Sequence, residues 1–324
     1  MKRREFIAIA SGAAAAFPFA AVGQQSPAVI GYLNGASSAE FLHLLAGFHK
    51  GLAEAGFAEG RNLRIEYRYA GGHYERLPTL AADLVDRKVS VIVATAGTPT
   101  VTAAKAATLS IPIVFVIGSD PVRFGLVASL SRPGGNITGI TVFGIELAAK
   151  RLELLLDLVP AANTIGVLAN PLNPITEPQL SDFQAAAQTH GRQLLVAKAS
   201  ADADFAAAST ILSHVDALVV AGDPFFDDRR SQIVSLVAQL KVPACYVRHE
   251  FVREGGLISY GADVPDAFRQ AGVYTGRILK GEKPADLPVM QPTRFELAIN
   301  LRAAKILGLS VPSSLLARAE EVIE

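Results

Sequence analysis

Two doubly wound α/β lobes, each a parallel sheet covered by helices and joined to the other by a three-strand hinge, are what this sequence predicts. Three observations lead there. Short, nearly continuous Val/Ile-rich runs alternate with amphipathic stretches, the pattern of strands buried on both faces of a parallel sheet. The pattern restarts midway along a chain of 324 residues, a length that suits two ordinary cores better than one. The restart also repeats two short loops in the same order.

Ala28 to Leu33 reads as the first buried strand. The next stretch, Glu40 to Ala55, carries Phe41, Leu44, Leu45, Phe48 and Leu52 at helical spacing and is stopped by Gly56. Leu63 to Tyr69 alternates apolar and charged residues, as a half-exposed strand does. A helix over Leu77 to Arg87 leads to a strand at Val89 to Ala94. Another helix, Thr100 to Thr108, leads to a third buried run at Ile111 to Ile117.

The second series begins with a strand at Thr164 to Leu168 and a helix at Gln179 to Gly191. Strands at 193–197, 217–220 and 243–247 then alternate with helices at 204–212 and 229–240. Ile30-Gly31-Tyr32-Leu33-Asn34 is echoed by Ile165-Gly166-Val167-Leu168-Ala169-Asn170. Val116 to Pro121 is echoed by Val219 to Pro224, each an apolar strand running into Gly and Asp-Pro.

Arg132-Pro133-Gly134-Gly135-Asn136 is a strong turn signal and marks the expected boundary. Ile137 to Phe143 is expected to cross between lobes and Leu257 to Ala262 to return. A helix at 266–280, a strand at 295–300 and a helix at 301–307 complete the chain. These crossings divide it into 28–141 plus 262–290 and 142–261 plus 291–324.

The start of the chain is read separately. Met1 to Arg4 is basic, Phe6 to Val22 is apolar and Ala-rich, and Ala21-Val22-Gly23 puts small residues where a signal peptidase reads. This is the anatomy of a cleaved export signal over residues 1–23. Arg3-Arg4-Glu5-Phe6-Ile7 fits a twin-arginine route, and an ordinary secretory signal beginning Lys-Arg-Arg is the other reading. The apolar run is short for a membrane span and holds Gly12 and Pro18, so no stable insertion is expected after cleavage.

Composition narrows the chemistry. Thirty Lys and Arg balance thirty Asp and Glu, which leaves no electrostatic footprint for nucleic acid. A single cysteine, Cys245, allows no internal disulfide and no zinc site needing two thiolates. The six histidines show no pair at metal spacing. There is no phosphate-binding G-x-x-x-x-G-K-S/T loop, no dinucleotide fingerprint, no G-x-S-x-G elbow and no H-E-x-x-H. No cofactor and no metal are therefore expected, and the missing motifs lower the expectation of catalysis without excluding it.

Ligands of open parallel sheets bind beyond the carboxyl ends of strands, and two such sheets facing each other line one cleft. That rule selects loops. In the first half it selects Asn34 and Ser37, then Thr95, Gly97 and Thr98, then Asp120. Gly97 lets a ligand approach the backbone, and the helix start at Thr98-Pro99 would attract a carboxylate. An ionised Asp120 at the cleft edge is a candidate partner for an ammonium group, and in the second half the matching loops supply Asn170 and Asp223. Phe143, Phe225 and Tyr246 are candidate apolar walls.

Several runs carry a resemblance. Ile30 to Gly35, Gly51-Leu52-Ala53-Glu54-Ala55-Gly56-Phe57 with Glu59-Gly60, Gly118 to Val122, Phe295 to Asn300, and above all Leu130-Ser131-Arg132-Pro133-Gly134-Gly135-Asn136-Ile137-Thr138-Gly139 resemble the ABC transporter substrate-binding family. This is the family that includes tryptophan- and tyrosine-binding lipoproteins. With the export signal removed, a monomer in the periplasm is expected. The resemblance implies a type I periplasmic-binding fold and no enzymatic activity. It implies capture of a small organic solute, an amino acid or aromatic acid among them, and delivery to a membrane permease with its ATPase. It also implies that the loop at Thr98-Pro99 meets a ligand carboxylate. The chain departs from the lipoproteins in having no cysteine near the cleavage region, and so resembles a proteobacterial branch with twin-arginine-like signals. A ligand-binding subunit of a membrane sensor would use the same cleft, and an exported α/β enzyme is the remaining alternative.

Overall fold

The computed structural model describes residues 27–142 and 147–324. The export signal read over residues 1–23 and the candidate wall Phe143 lie outside them.

The first sheet is parallel throughout. Its strands are β1 (Ala28–Asn34), β2 (Leu63–Tyr69), β3 (Val91–Thr95), β4 (Ile113–Ile117) and β5 (Ile137–Thr141), in the order β2-β1-β3-β4-β5. Between them run α1 (Ser38–Glu54), α2 (Leu77–Asp86) and α3 (Thr98–Ala107). Both faces are apolar because both are covered. Ile30, Val93 and Val114 pack in one cluster with Phe41, Phe48 and Phe268, whereas Leu33, Ile92 and Phe115 pack under α2 and α3.

The second sheet is built from β6 (Thr164–Ala169), β7 (Gln193–Lys198), β8 (Ala217–Val220), β9 (Ala244–Tyr246) and β10 (Ile258–Ala262). The helices of this stretch are α4 (Ala148–Leu158), α5 (Thr176–Thr189), α6 (Asp204–Leu212), α7 (Pro224–Asp228), α8 (Arg230–Leu240) and α9 (His249–Arg253). The chain then gives α10 (Val264–Leu279), which returns to the first lobe and packs along α1. The two helices meet through glycine: a Cβ on Gly51 would stand 1.9 Å from the Arg269 carbonyl oxygen, and one on Gly272 2.2 Å from that of Phe48. Finally β11 (Phe295–Asn300), α11 (Leu301–Ile306), α12 (Ser313–Leu316) and β12 (Glu321–Ile323) complete the second lobe, whose sheet order is β12-β11-β10-β9-β8-β6-β7. Among the described residues, the β10–β11 pairing is antiparallel and its other pairings are parallel.

The structure departs from the sequence reading in three places. Ile137–Thr141 does not span the lobes but pairs with β4 along its whole length, and the chain leaves the first lobe after it. Leu257 to Ala262 likewise holds β10 inside the second sheet, between β9 and β11. Apolar strands satisfy their backbone groups in a ladder, so the crossings are left to short segments around it. Two of these touch, the Asp263 amide donating to the Arg294 carbonyl at 3.2 Å. Helix α4 was not expected from the sequence pattern. It closes the second core with Leu152, Leu155 and Leu158.

Candidate functional site

Each sheet reverses its strand order once, between β1 and β3 in the first lobe and between β6 and β8 in the second. The loops leaving these strands therefore diverge, and the gap between them is where an α/β sheet accepts a ligand. In this molecule the two gaps face each other across a cleft holding about 790 Å³ of empty space, its open mouth included.

From the first lobe, Ala96, Gly97 and Thr98 enter the cleft at the end of β3. Ala96 and Gly97 both have positive φ, 59° and 104°, which turns the backbone sharply into α3. A non-glycine residue rarely adopts this conformation, and such strain concentrates at binding loops. No side chain caps α3, and Pro99 at its start has no N–H. The positive end of the helix thus opens on the cleft, where an anion is favoured. The Thr98 hydroxyl shares a 2.7 Å hydrogen bond with that of Ser119.

Opposite stand two carboxylates of the second lobe. Asp223 is buried and caps α7, accepting from the Phe225 amide at 2.8 Å. It also accepts from Asn170 Nδ2 at 3.0 Å, Asn173 Nδ2 at 2.7 Å and the Tyr74 hydroxyl at 2.8 Å. Burial raises its pKa, and the four donors hold that rise back. Asp227, one turn further, is pushed up to about 6, by burial first and by the neighbouring Glu250 and Asp223 charges, against the pull of Arg248 and Arg230. Arg248 also lines the cleft, with one guanidinium nitrogen 3.4 Å from Asp227 Oδ2.

The deepest cation is Arg151 on α4. It is 1% exposed, lines the cleft, and donates through Nε to the Tyr260 carbonyl at 2.7 Å. Burial brings its pKa down to about 10. Apolar walls come from Phe41 on α1 and Phe268 on α10, whose ring centroids are 6.2 Å apart, and from Val116, Ile117, Ile175 and Val247.

Of the residues singled out by sequence, Gly97, Thr98 and Asp223 line this cleft. Others are placed elsewhere. Asn34 donates to the Thr95 hydroxyl at 2.9 Å and accepts from the Ala36 amide, while Thr95 in turn donates to the Tyr32 hydroxyl, so both serve a buried network that shapes the loop. Ser37 bonds to Asp228 of the other lobe. Asp120 accepts from the amides of Val122 and Arg123 and holds its own turn. Asn170 acts through Asp223. Phe225 stacks on Phe205, and Tyr246 on Phe251, inside the second core. Asp227, Gln179, Arg151, Arg248, Phe41 and Phe268 carry no loop signal, and sequence reasoning did not single them out as site residues. Among the described residues no group of three or more His, Cys, Asp or Glu could hold a metal ion. No helix among them is long and apolar enough to cross a membrane.

Two doubly wound lobes closing on a cleft at their switch points define a type I periplasmic-binding fold. The chain belongs to the ABC transporter substrate-binding protein family, whose profile matches residues 28–323. The family is one of binding proteins rather than enzymes. A tyrosine-binding protein of Clostridioides difficile (strain R20291) is 29% identical over 265 residues, covering 81% of this chain and 76% of that protein. A domain from Streptococcus pneumonia solved in complex with L-Trp is 29% identical, covers 92% of this chain and 100% of its own, and superposes with a TM-score of 0.85. A substrate binding protein with adhesive properties from Clostridium difficile, solved ligand-free and open, is 26% identical over 91% of this chain and 99% of its own, and superposes at 0.65. The chain thus superposes more closely on the relative solved with L-Trp than on the one solved ligand-free and open. Direct hydrogen bonds join the two lobes across the cleft, from Ser37 to Asp228, between His43 and Glu250, and from Tyr74 to Asp223.

Proposed function

We propose that this protein captures a free amino acid with a large apolar side chain in the interlobe cleft and delivers it to an ABC permease and ATPase. The observation that carries the reading is the uncapped start of α3 at Gly97-Thr98, facing Asp223 and Asp227 across the cleft. A zwitterion matches this polarity: its carboxylate faces the helix start and its ammonium the two aspartates. Phe41 and Phe268 suit an apolar side chain, and the named ligands of the relatives, tyrosine and L-Trp, have this shape. Binding takes place outside the cytoplasm after removal of residues 1–23, by a monomer and without chemical change to the solute.

Calorimetry with L-tryptophan, L-tyrosine and L-leucine, each beside its amine and its deaminated acid, tests the ligand class. The amino acids are expected to bind at least tenfold more tightly than either truncated form, since each lacks one charged contact. Equal binding of amine and amino acid, or binding of a sugar instead, would overturn the reading. Fractionation of producing cells tests export, and chromatography of the recovered solute tests the absence of turnover.

A further inference from the structure

Helix α1 begins at a residue whose own side chain does not cap it. The cap comes from the other lobe. The Ser37 amide donates to both carboxylate oxygens of Asp228, at 3.0 and 2.9 Å, and its hydroxyl donates to Oδ1 at 2.8 Å. A carboxylate at this end satisfies an orphan N–H and complements the helix dipole. Further along the same helix, His43 Nε2 lies 2.7 Å from Glu250 Oε1 at the start of α9. Between these contacts the Arg248 guanidinium lies over the Phe41 ring, 5.5 Å from its centroid, and is held by Glu250 at 2.7 Å. Burial would raise the Glu250 pKa, but Arg248, His43 and His249 outweigh it and keep the group well below the usual carboxylate range.

We propose that Ser37 at the start of α1 and His43 within it, with Asp228 and Glu250 of the second lobe, form an interlobe clasp that sets how readily the cleft stays shut, whatever solute it holds. None of the four lines the ligand cleft. Opening the lobes by a few ångströms breaks the Ser37–Asp228 and His43–Glu250 contacts, while the Arg248–Glu250 pair within the second lobe persists, so these two contacts favour the closed state alone. A contact of this kind changes the fraction of molecules in the binding-competent form, and every ligand's apparent dissociation constant scales by the same factor. The inference rests on reading the cleft as the binding site, but the clasp itself is readable without ligand.

The test uses Asp228→Ala, Asp228→Asn and His43→Gln. Small-angle X-ray scattering reports lobe separation in ligand-free protein, and calorimetry reports affinity for L-tryptophan, L-tyrosine and L-leucine. Asp228→Ala is expected to weaken every ligand that binds by one common factor, about three- to thirtyfold, and to leave their ranking intact. Asp228→Asn, which keeps an acceptor for the Ser37 amide, falls between it and the wild type. His43→Gln, on an exposed side chain, gives a smaller common loss and guards against a folding artefact. A changed ranking would make Asp228 a ligand contact and overturn the clasp, as would unchanged affinities. If no amino acid binds the wild type, the cleft reading fails and scattering alone decides: a wider ligand-free envelope for Asp228→Ala supports the clasp, and an identical one overturns it.

Discussion

The Tyr74 hydroxyl, on the first lobe, donates a 2.8 Å hydrogen bond to Asp223 Oδ2, on the second. Its own pKa is raised well above the ordinary value, by burial and by the aspartate it faces, so it remains a donor across the physiological range. Asp223 keeps its bonds from Asn170, Asn173 and Phe225 when the lobes part, because all of these are in its own lobe. The Tyr74 bond exists only in the closed form. Tyr74→Phe should therefore weaken ligand binding by about 1–2 kcal/mol, roughly five- to thirtyfold, and leave ligand-free stability within about 0.5 kcal/mol. Calorimetry and chemical denaturation read the two quantities. Equal affinity for both proteins would mean that the bond does not contribute to closure.

Gly97 meets the opposite lobe through its missing side chain. A Cβ there would stand 3.0 Å from Pro224 Cγ, and the backbone φ of 104° is one that side-chain-bearing residues rarely adopt. Gly97→Ala should cost about 1–2 kcal/mol of stability through the strained backbone. It should also hold the lobes apart, so affinity falls by more than tenfold and the scattering envelope of the liganded protein widens. A variant that closes and binds as the wild type does would show that the α3 loop yields without penalty.

Much of this was legible in the sequence, for a physical reason. Strands buried on two faces must be apolar in continuous runs, so Ile30, Val93 and Val167 announce themselves. The rule that ligands meet strand ends then points to Thr98 and Asp223. The same rule points equally to Asn34, Thr95 and Asp120, whose polar atoms are consumed by neighbours in their own lobe. Nothing in a loop sequence tells a side chain that turns outward from one that turns in. Arg151 was illegible for a different reason. Helix α4 lies within the second lobe, and only the packing of that lobe brings its buried arginine to the cleft.

The contrast between Thr98 and Asp120 is itself a test. Thr98 lines the cleft and Asp120 holds the turn that follows β4. Thr98→Ala removes the hydroxyl bonded to Ser119 and should weaken amino-acid binding by about 1 kcal/mol, some fivefold. Asp120→Ala removes an acceptor for two amides and should lower stability by about 0.5–2 kcal/mol with affinity changed less than twofold. Thermal denaturation and calorimetry on both variants separate the roles. Loss of affinity in Asp120→Ala without loss of stability would place that carboxylate on the ligand.

Asp227 gives the cleft a pH dependence whose sign is fixed by its environment. Burial is the largest influence and raises the carboxyl from its ordinary value of 3.8 to about 6. Between those two values the folded protein keeps a proton that the unfolded chain has lost. Stability from this group is therefore fully present below about pH 4 and is lost as pH rises through about 6. Binding of an ammonium group runs the other way. Below about pH 6 the proton on Asp227 competes with the ligand cation, so affinity should rise with pH by up to tenfold per unit and level off above 6. Asp223, raised in the same direction by burial, reinforces both trends. Asp227→Asn should flatten the two curves together, with the protein more stable near neutrality and the ligand bound weakly at every pH. Calorimetry and urea unfolding at half-unit steps from pH 4.5 to 7.5 give both profiles. A wild-type affinity that stays level across that window would remove Asp227 from the ammonium site.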